Sequence, residues 1–345
     1  MNNKIQVAAI DVGYGHTKYV IEREKQVRVD VFPSIAIDVV ASEEALGFVG
    51  RSDIRKVMVA RDKRLVWVGP DTNSKMSGTS NARELSDKYS LSDQYLAFVR
   101  GALTYMNVTQ VQVLQLGLPL TTLATHRKAL QAKMVGEHQL FDAEGNQYTC
   151  NVKSVGVSGQ PVAAVANFMS RSEAPDLDVN DKILLIDFGY FTTDWVVIDH
   201  NLDIVLERSG AEIGGMSKII AKIFEGLQDE VKRTLPPAIQ VGIDHAMTNG
   251  QSQVRIRDTI YNFQKHIELT DTVAKSYVGA VSNKVGMIDD MRKIVICGGG
   301  ASFMKKHVQA MFGSDGLVMP SDSREAIAKG LHVLGSATAR QSAYV

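Results

Sequence analysis

The chain is 345 residues long, 45% hydrophobic, and balances 38 Lys and Arg against 38 Asp and Glu. That length is enough for two hydrophobic cores, and the lack of a basic excess argues against direct binding of nucleic acid. No stretch is long and apolar enough to cross a bilayer, no leader is evident, and the tail is too short and polar for a surface anchor, so a cytoplasmic protein without membrane contact is expected.

In chain order, Val7 to Ile10 reads as a buried strand that ends on Asp11. Gly13-Tyr14-Gly15 turns it, Tyr19 to Ile21 begins a second strand, and Gln26 to Phe32 alternates as a third until Pro33. A carboxylate at the end of a buried strand needs a partner. Hydrated Mg2+, beside a turn whose N–H groups face a phosphate, would provide one, although such turns also form as ordinary hairpins. From Ser34 to Tyr89, short strands at Val57–Ala60 and Leu65–Val68 alternate with polar loops. Thr72 to Arg83 is loop chemistry, equally a plain surface loop or a place for contacts. Ser92 opens a helix to about Met106, Val111–Leu116 is a buried strand, Thr122–Met134 is a second helix, and a hairpin turns near Gly145. Three meander strands followed by alternating helices and strands indicate a fold of the ribonuclease-H type.

Gln160, held between Gly159 and Pro161, precedes a helix over Val162–Ser170. Arg171 to Asp181 reads as an exposed linker. A second meander is expected at Ile183–Ile186, Trp195–Ile198 and Ile204–Leu206. Gly214 and Gly215 open a helix, which suits close approach to a ribose or phosphate and equally suits tight packing. Residues 228–290 read as mostly helical, with amphipathic spacing over Ile239–Met247 and Ile260–Gly279. Lys265 and Glu268 could share a face toward a ligand, a solvated face being the plainer reading. Arg292–Ile296 is the last central strand. Gly298-Gly299-Gly300 after it lets the backbone lie flat on a base or phosphate, and a helix follows over Ser302–Phe312. A final helix from Asp322 carries the small residues Ala326, Ala328 and Gly330. Cys150 and Cys297 lack any pairing motif and read as buried thiols of a reducing compartment, and the histidines show no metal-ligand spacing.

The second meander repeats the first. Ile186–Val197 aligns with Ile10–Ile21 without a gap, placing Asp187 on Asp11, Gly189 on Gly13, Tyr190 on Tyr14 and Thr193 on Thr17. A self-similarity this far apart indicates two like domains facing each other. Their hairpins could clamp a phosphate tail, one carboxylate from each side.

The two hairpins resemble the phosphate-1 and phosphate-2 motifs of the actin, Hsp70 and sugar-kinase superfamily, and Lys293–Phe303 is similar to its adenosine motif. The form Gly189 to Asp194 most resembles the bacterial and archaeal actin-like ATPases of the ParM/StbA plasmid-segregation group, with Phe191 where many relatives have glycine. The resemblance implies an α/β, actin-like ATPase fold of two ribonuclease-H-like domains flanking a nucleotide cleft. Domain I would span 1–170, its outer subdomain about 34–89, with the C-terminal helix 322–345 packing back on it. Domain II would span 171–321, its outer subdomain about 217–290. ATP and Mg2+ are the implied cofactors, with Asp11 and Asp187 holding the metal through water. Gly13, Tyr14, Gly15, Thr17, Gly189, Tyr190, Thr192 and Thr193 would surround the β- and γ-phosphates, and Lys18 would offset their charge. Gly214, Gly215, Gly298, Gly299 and Gly300 would lie nearer the nucleoside. Gln160 would orient the attacking water, completing a catalytic set with Asp187 and Asp11.

The partners implied are further copies of the chain, in a head-to-tail cytoplasmic filament, and a DNA-binding adaptor protein. A chaperone-type ATPase would need a peptide-binding domain after the last helix, and a small-molecule kinase would need a catalytic Asp at an acceptor cleft. Neither is evident, and fold alone does not choose among these.

Overall fold

The structure, a computed structural model, describes residues 3–23, 26–39, 53–59, 64–75, 86 and 88–342. The first apolar run forms β1 (Lys4–Val12), whose Ala8, Ala9 and Ile10 are fully buried, as befits a strand covered on both faces. The chain turns into β2 (His16–Arg23) and then β3 (Gln26–Pro33), both pairings antiparallel, so that Asp11 stands opposite Lys18. A small sheet follows, made of β4 (Ile37–Asp38), β5 (Arg55–Val59) and β6 (Arg64–Val68) in the order β4-β6-β5. Ala60, expected at a strand end, lies outside the described residues. Of the loop expected over 72–83, Thr72–Lys75 is one 3-10 turn and the rest lies outside the described residues.

Helix α1 (Asp93–Met106) starts where the Ser92 hydroxyl accepts the Tyr95 N–H at 3.2 Å. It leads to β7 (Gln110–Leu118), α2 (Leu120–Met134), β8 (Gly136–Phe141), β9 (Gln147–Gly159) and α3 (Gln160–Met169). β7 and β9 extend the first sheet in parallel from β1, and β8 pairs antiparallel at the edge, giving the order β3-β2-β1-β7-β9-β8.

The second half repeats this plan with β10 (Lys182–Phe188), β11 (Thr192–Ile198) and β12 (Gly210–Ile213). After them come α4 (Met216–Val231), α5 (Ala238–Thr248), β13 (Gln253–Ile256), β14 (Thr259–Asn262), α6 (Gln264–Glu268) and α7 (Asp271–Val285). β15 (Met291–Cys297), α8 (Ala301–Phe312), β16 (Leu317–Val318) and α9 (Ala326–Ser342) complete the chain. The sheet order β12-β11-β10-β15-β16 mirrors β3-β2-β1-β7-β9, with β15 parallel to β10.

Two expected elements are corrected. The third meander strand is not Ile204–Leu206: Ile204 makes one bridge to Ile198, Leu206–Arg208 is a 3-10 turn, and the strand lies at Gly210–Ile213. Gly210 belongs there because any Cβ would sit 2.8 Å from the Trp195 ring that packs on it. The segment from Ile260 is not one helix. Ile260 lies in the β13–β14 hairpin, turned at Arg257 with φ 55°, and the helices α6 and α7 come after it.

Each sheet has its own core, with Phe32, Phe98 and Leu114 in the first and Ile186, Ile219 and Phe263 in the second. Each such side chain contributes about 1.5–3 kcal/mol when fully buried. A third cluster lies between the halves, where α3 and α9 pack with Ala9, Val20, Leu185, Val196 and Val295 from the two sheets. At the crossing of α3 and α9 a Cβ on Gly330 would fall 1.6 Å from the Ala163 carbonyl oxygen, so only glycine fits.

Candidate functional site

Both carboxylate-bearing hairpins open onto one cavity of about 390 Å³ between the two sheets. That size is within the roughly 300–1,000 Å³ usual for small-molecule sites. The floor is polar and almost sealed, with Asp11 1% and Asp187 4% exposed.

On the first hairpin the antiparallel register brings Lys18 to Asp11, with Nζ 3.2 Å from Oδ2. Gln160, first residue of α3, donates from Nε2 to the other oxygen, Oδ1, at 2.9 Å. Burial pulls the Lys18 pKa down, but the Asp11 and Asp187 carboxylates outweigh it and leave the ammonium above its ordinary value.

The second hairpin puts Asp194, not a lysine, opposite Asp187. Burial, then Asp194 and Asp11, push the Asp187 carboxyl up to about 8 against the pull of Lys18. Burial raises Asp194 to about 6, opposed by the Thr192 hydroxyl and the Leu120 N–H. That N–H opens α2 and donates to Asp194 Oδ1 at 3.1 Å, a carboxylate at a helix N-terminus, while Asp194 Oδ2 is buried without a hydrogen-bond partner. Two buried carboxylates, Asp11 and Asp187, therefore act on one ammonium, with Asp194 set behind Asp187. Gly298, at φ 91°, caps the end of β15 where any side chain would meet the Asp187 carboxylate, a Cβ lying 2.2 Å from Oδ1.

Of the residues singled out from the sequence, Asp11, Gly13, Tyr14, Gly15, Lys18, Gln160, Asp187, Gly189, Tyr190, Thr192 and Gly298 to Gly300 line this cavity. Four others stand apart from it. Thr17 is fully buried and shares a 3.0 Å hydrogen bond with Ser34 behind the turn. Thr193 is likewise buried and donates to the Gly214 carbonyl at 3.1 Å. Gly214 and Gly215 serve packing, since a Cβ would meet the Tyr277 ring at 2.6 Å and the Gly189 carbonyl at 2.5 Å. The Gly13 and Gly189 N–H groups close their own turns, to the His16 and Thr192 carbonyls at 3.1 and 3.0 Å, so these glycines shape the loops. Lys265 and Glu268 are not part of the lining, and Lys265 pairs with Glu230 at 3.1 Å on the surface.

The sequence reading missed the far wall, formed by Asp244, Met247, Thr248 and Asn249 at the end of α5, with Phe303 and Arg324. Phe303 closes the adenosine-like stretch, but no motif marks the residues at the end of α5, which tertiary packing alone brings to the cleft. Asp194 did carry a signal, because it occupies the repeat position of Lys18 with opposite charge.

The family model described as actin like proteins N terminal domain matches residues 9–162, and that of the archaeal actin homologue MreB-like C-terminal region matches residues 185–310. A search of curated proteins finds no match. Among solved structures the fold is similar to the ADP complex of Ta0583, an archaeal actin homolog, with TM-score 0.76 and 18% identity over 97% of this chain and 100% of that one. It is similar also to ParM in a 15-stranded filament from Clostridium botulinum, with TM-score 0.77 and 19% identity over 98% and 100% of the two chains. The actin-like protein Alp7A matches with TM-score 0.71 and 14% identity over 100% and 98%. With both halves matched by actin-like families and the whole by actin-like folds, the chain belongs to the actin-like protein family.

Proposed function

We propose that the protein is a Mg2+-dependent ATPase whose nucleotide state governs its assembly into head-to-tail filaments. The observation that carries this reading is the pair of repeated hairpins, each presenting a buried carboxylate to the same cavity. Hard oxygen donors in excess over one ammonium suit a divalent cation. Asp11 and Asp187 would hold such an ion through water. Bound Mg2+ would supply charge that offsets the phosphate oxygens. The turns at Gly13–Gly15 and Gly189–Thr192 would seat the β- and γ-phosphates, and Gly298 to Gly300 with the end of α5 would take the nucleoside. Gln160, fixed on Asp11 by one amide hydrogen, would orient the attacking water with the rest of its amide.

A nucleotide gripped by both hairpins would couple its γ-phosphate to closure of domain I (1–170, with 322–345) on domain II (171–321). A head-to-tail contact does not close on itself, so it yields an open filament. The ADP complex and the ParM filament among the structural relatives support this reading. The absence of net charge favours contact with plasmid DNA through a DNA-binding adaptor rather than directly. Sedimentation tests the reading: polymer should pellet with ATP and Mg2+ above a threshold concentration, and much less with ADP. Gln160→Ala should slow single-turnover hydrolysis roughly 10- to 1000-fold, with ATP affinity little changed. A protein that stays monomeric with ATP and phosphorylates a small acceptor belongs to the kinase branch instead.

A further inference from the structure

Phe191, at the tip of the second hairpin, has a partner across the cleft. Its ring centroid lies 4.6 Å from that of Tyr14, so the tips of the two hairpins touch through aromatic faces. Tyr14 stacks in turn on Tyr89, at 4.5 Å and 22°, and Tyr89 meets the buried Tyr95 edge-on at 5.7 Å. The Tyr14 hydroxyl donates to the Ser86 carbonyl and the Tyr89 hydroxyl to the Gly13 carbonyl, so this ladder is fixed to the first half at several points. A second contact crosses in the opposite sense, with the Tyr190 ring lying over Gly15, where a Cβ would be 3.0 Å away.

Tyr14 and Phe191 are half-buried, whereas Asp11 and Asp187 behind them are almost fully covered. All four line the same cavity, the carboxylates at its covered end and the rings at its more exposed hairpin tips. We propose that Tyr14 and Phe191 form an aromatic gate over the phosphate end of the cleft, and that their parting sets the rate at which inorganic phosphate leaves. This rests on the ATPase reading given above. A phosphate ion freed between the turns has its other way out blocked by the nucleoside diphosphate still seated toward α5. Passage between the rings costs it water and offers it only the negative faces of π systems. The pair thus acts on the order of events, holding the closed form after the bond is cut.

The test compares two rates in one protein: hydrolysis by quenched single turnover, and phosphate release by a fluorescent phosphate-binding reporter. In Phe191→Ala the ratio of release to hydrolysis should rise roughly two- to tenfold, the equivalent of one aromatic contact. Phe191→Tyr should restore the wild-type ratio. An unchanged ratio in Phe191→Ala overturns the gate while leaving the ATPase intact. A wild-type protein that hydrolyses no ATP overturns the nucleotide reading itself. A third measurement needs no turnover: in nucleotide-free protein, Tyr14→Leu with Phe191→Leu should lose less thermal stability than the two single variants together. Strictly additive losses would show that the rings do not hold each other, and the gate would fall.

Discussion

The two hairpins share a backbone and a register but differ in what stands opposite the strand-ending carboxylate. In the first, Asp11 faces Lys18 and its other oxygen is taken by Gln160, so the charge is answered within the half that carries it. In the second, Asp187 faces Asp194, one carboxylate against another, and both are pushed upward in pKa. One scaffold thus appears in a self-sufficient version and a version short of positive charge. The difference teaches that one backbone tolerates opposite charge arrangements: the second half has no cation of its own opposite its carboxylate, and Lys18, reaching from the first half, supplies part of the compensation.

Removing the answering charge should have the largest effect. Lys18→Met leaves Asp11 buried with only an amide partner, and should cost about 3 kcal/mol, the low end for breaking a buried pair. Urea unfolding of metal-free protein measures this, and a cost near zero would mean that Asp11 does not depend on Lys18. Next, Asp187→Ala should lower Mg2+-dependent ATP hydrolysis by roughly 100-fold while far-ultraviolet circular dichroism stays native. Full activity would remove the paired-carboxylate site from consideration.

The like-charge pair itself gives a smaller and subtler effect. A carboxyl whose folded pKa is raised stabilises fully below its unfolded value and loses that contribution as pH rises through the folded value. Metal-free protein should therefore lose stability between about pH 4 and about pH 8 through Asp187. Asp194→Asn, whose amide can donate to Asp187, should flatten that dependence and raise stability near pH 8 by about 1 kcal/mol. Thermal melts across this range check it, and an unchanged slope would show that the pair is not coupled. Smallest should be Asp322→Asn, at about 0.5 kcal/mol, outside the hairpins. Burial opposes ionisation there, yet Lys329 and Arg171 hold the Asp322 carboxyl below the usual range. Its contribution should persist above pH 4 and vanish only as pH falls through that lowered value, the reverse slope of Asp187.

Much of this was readable because the informative residues violate ordinary burial. An aspartate at the end of an apolar strand is costly, so Asp11 and Asp187 stand out, and a gapless repeat around each makes coincidence a poor account. The actin-like fold followed from the order of those hairpins and the glycines at 298–300. The third strand of the second meander was misplaced because Ile204 and Leu206 look like core but are 38% and 72% exposed. The true strand begins on Gly210, chosen by the shape of the Trp195 ring rather than by strand preference. In the β13–β14 hairpin, the alternation of buried Val254 and Ile256 was outweighed by helical spacing further along. The end of α5 could not be foreseen, since Met247 and Asn249 reach the cleft only through the packing of a whole helix.

The crossing of α3 and α9 at Ala163 and Gly330 is a rigid seat rather than a spring. Side-chain interfaces give way under load because rotamers can change, whereas backbone seated on backbone has no such compliance. Both helices belong to the first half, so this seat locks them to each other, and any shift of Gln160 at the start of α3 would carry α9 with it as one piece.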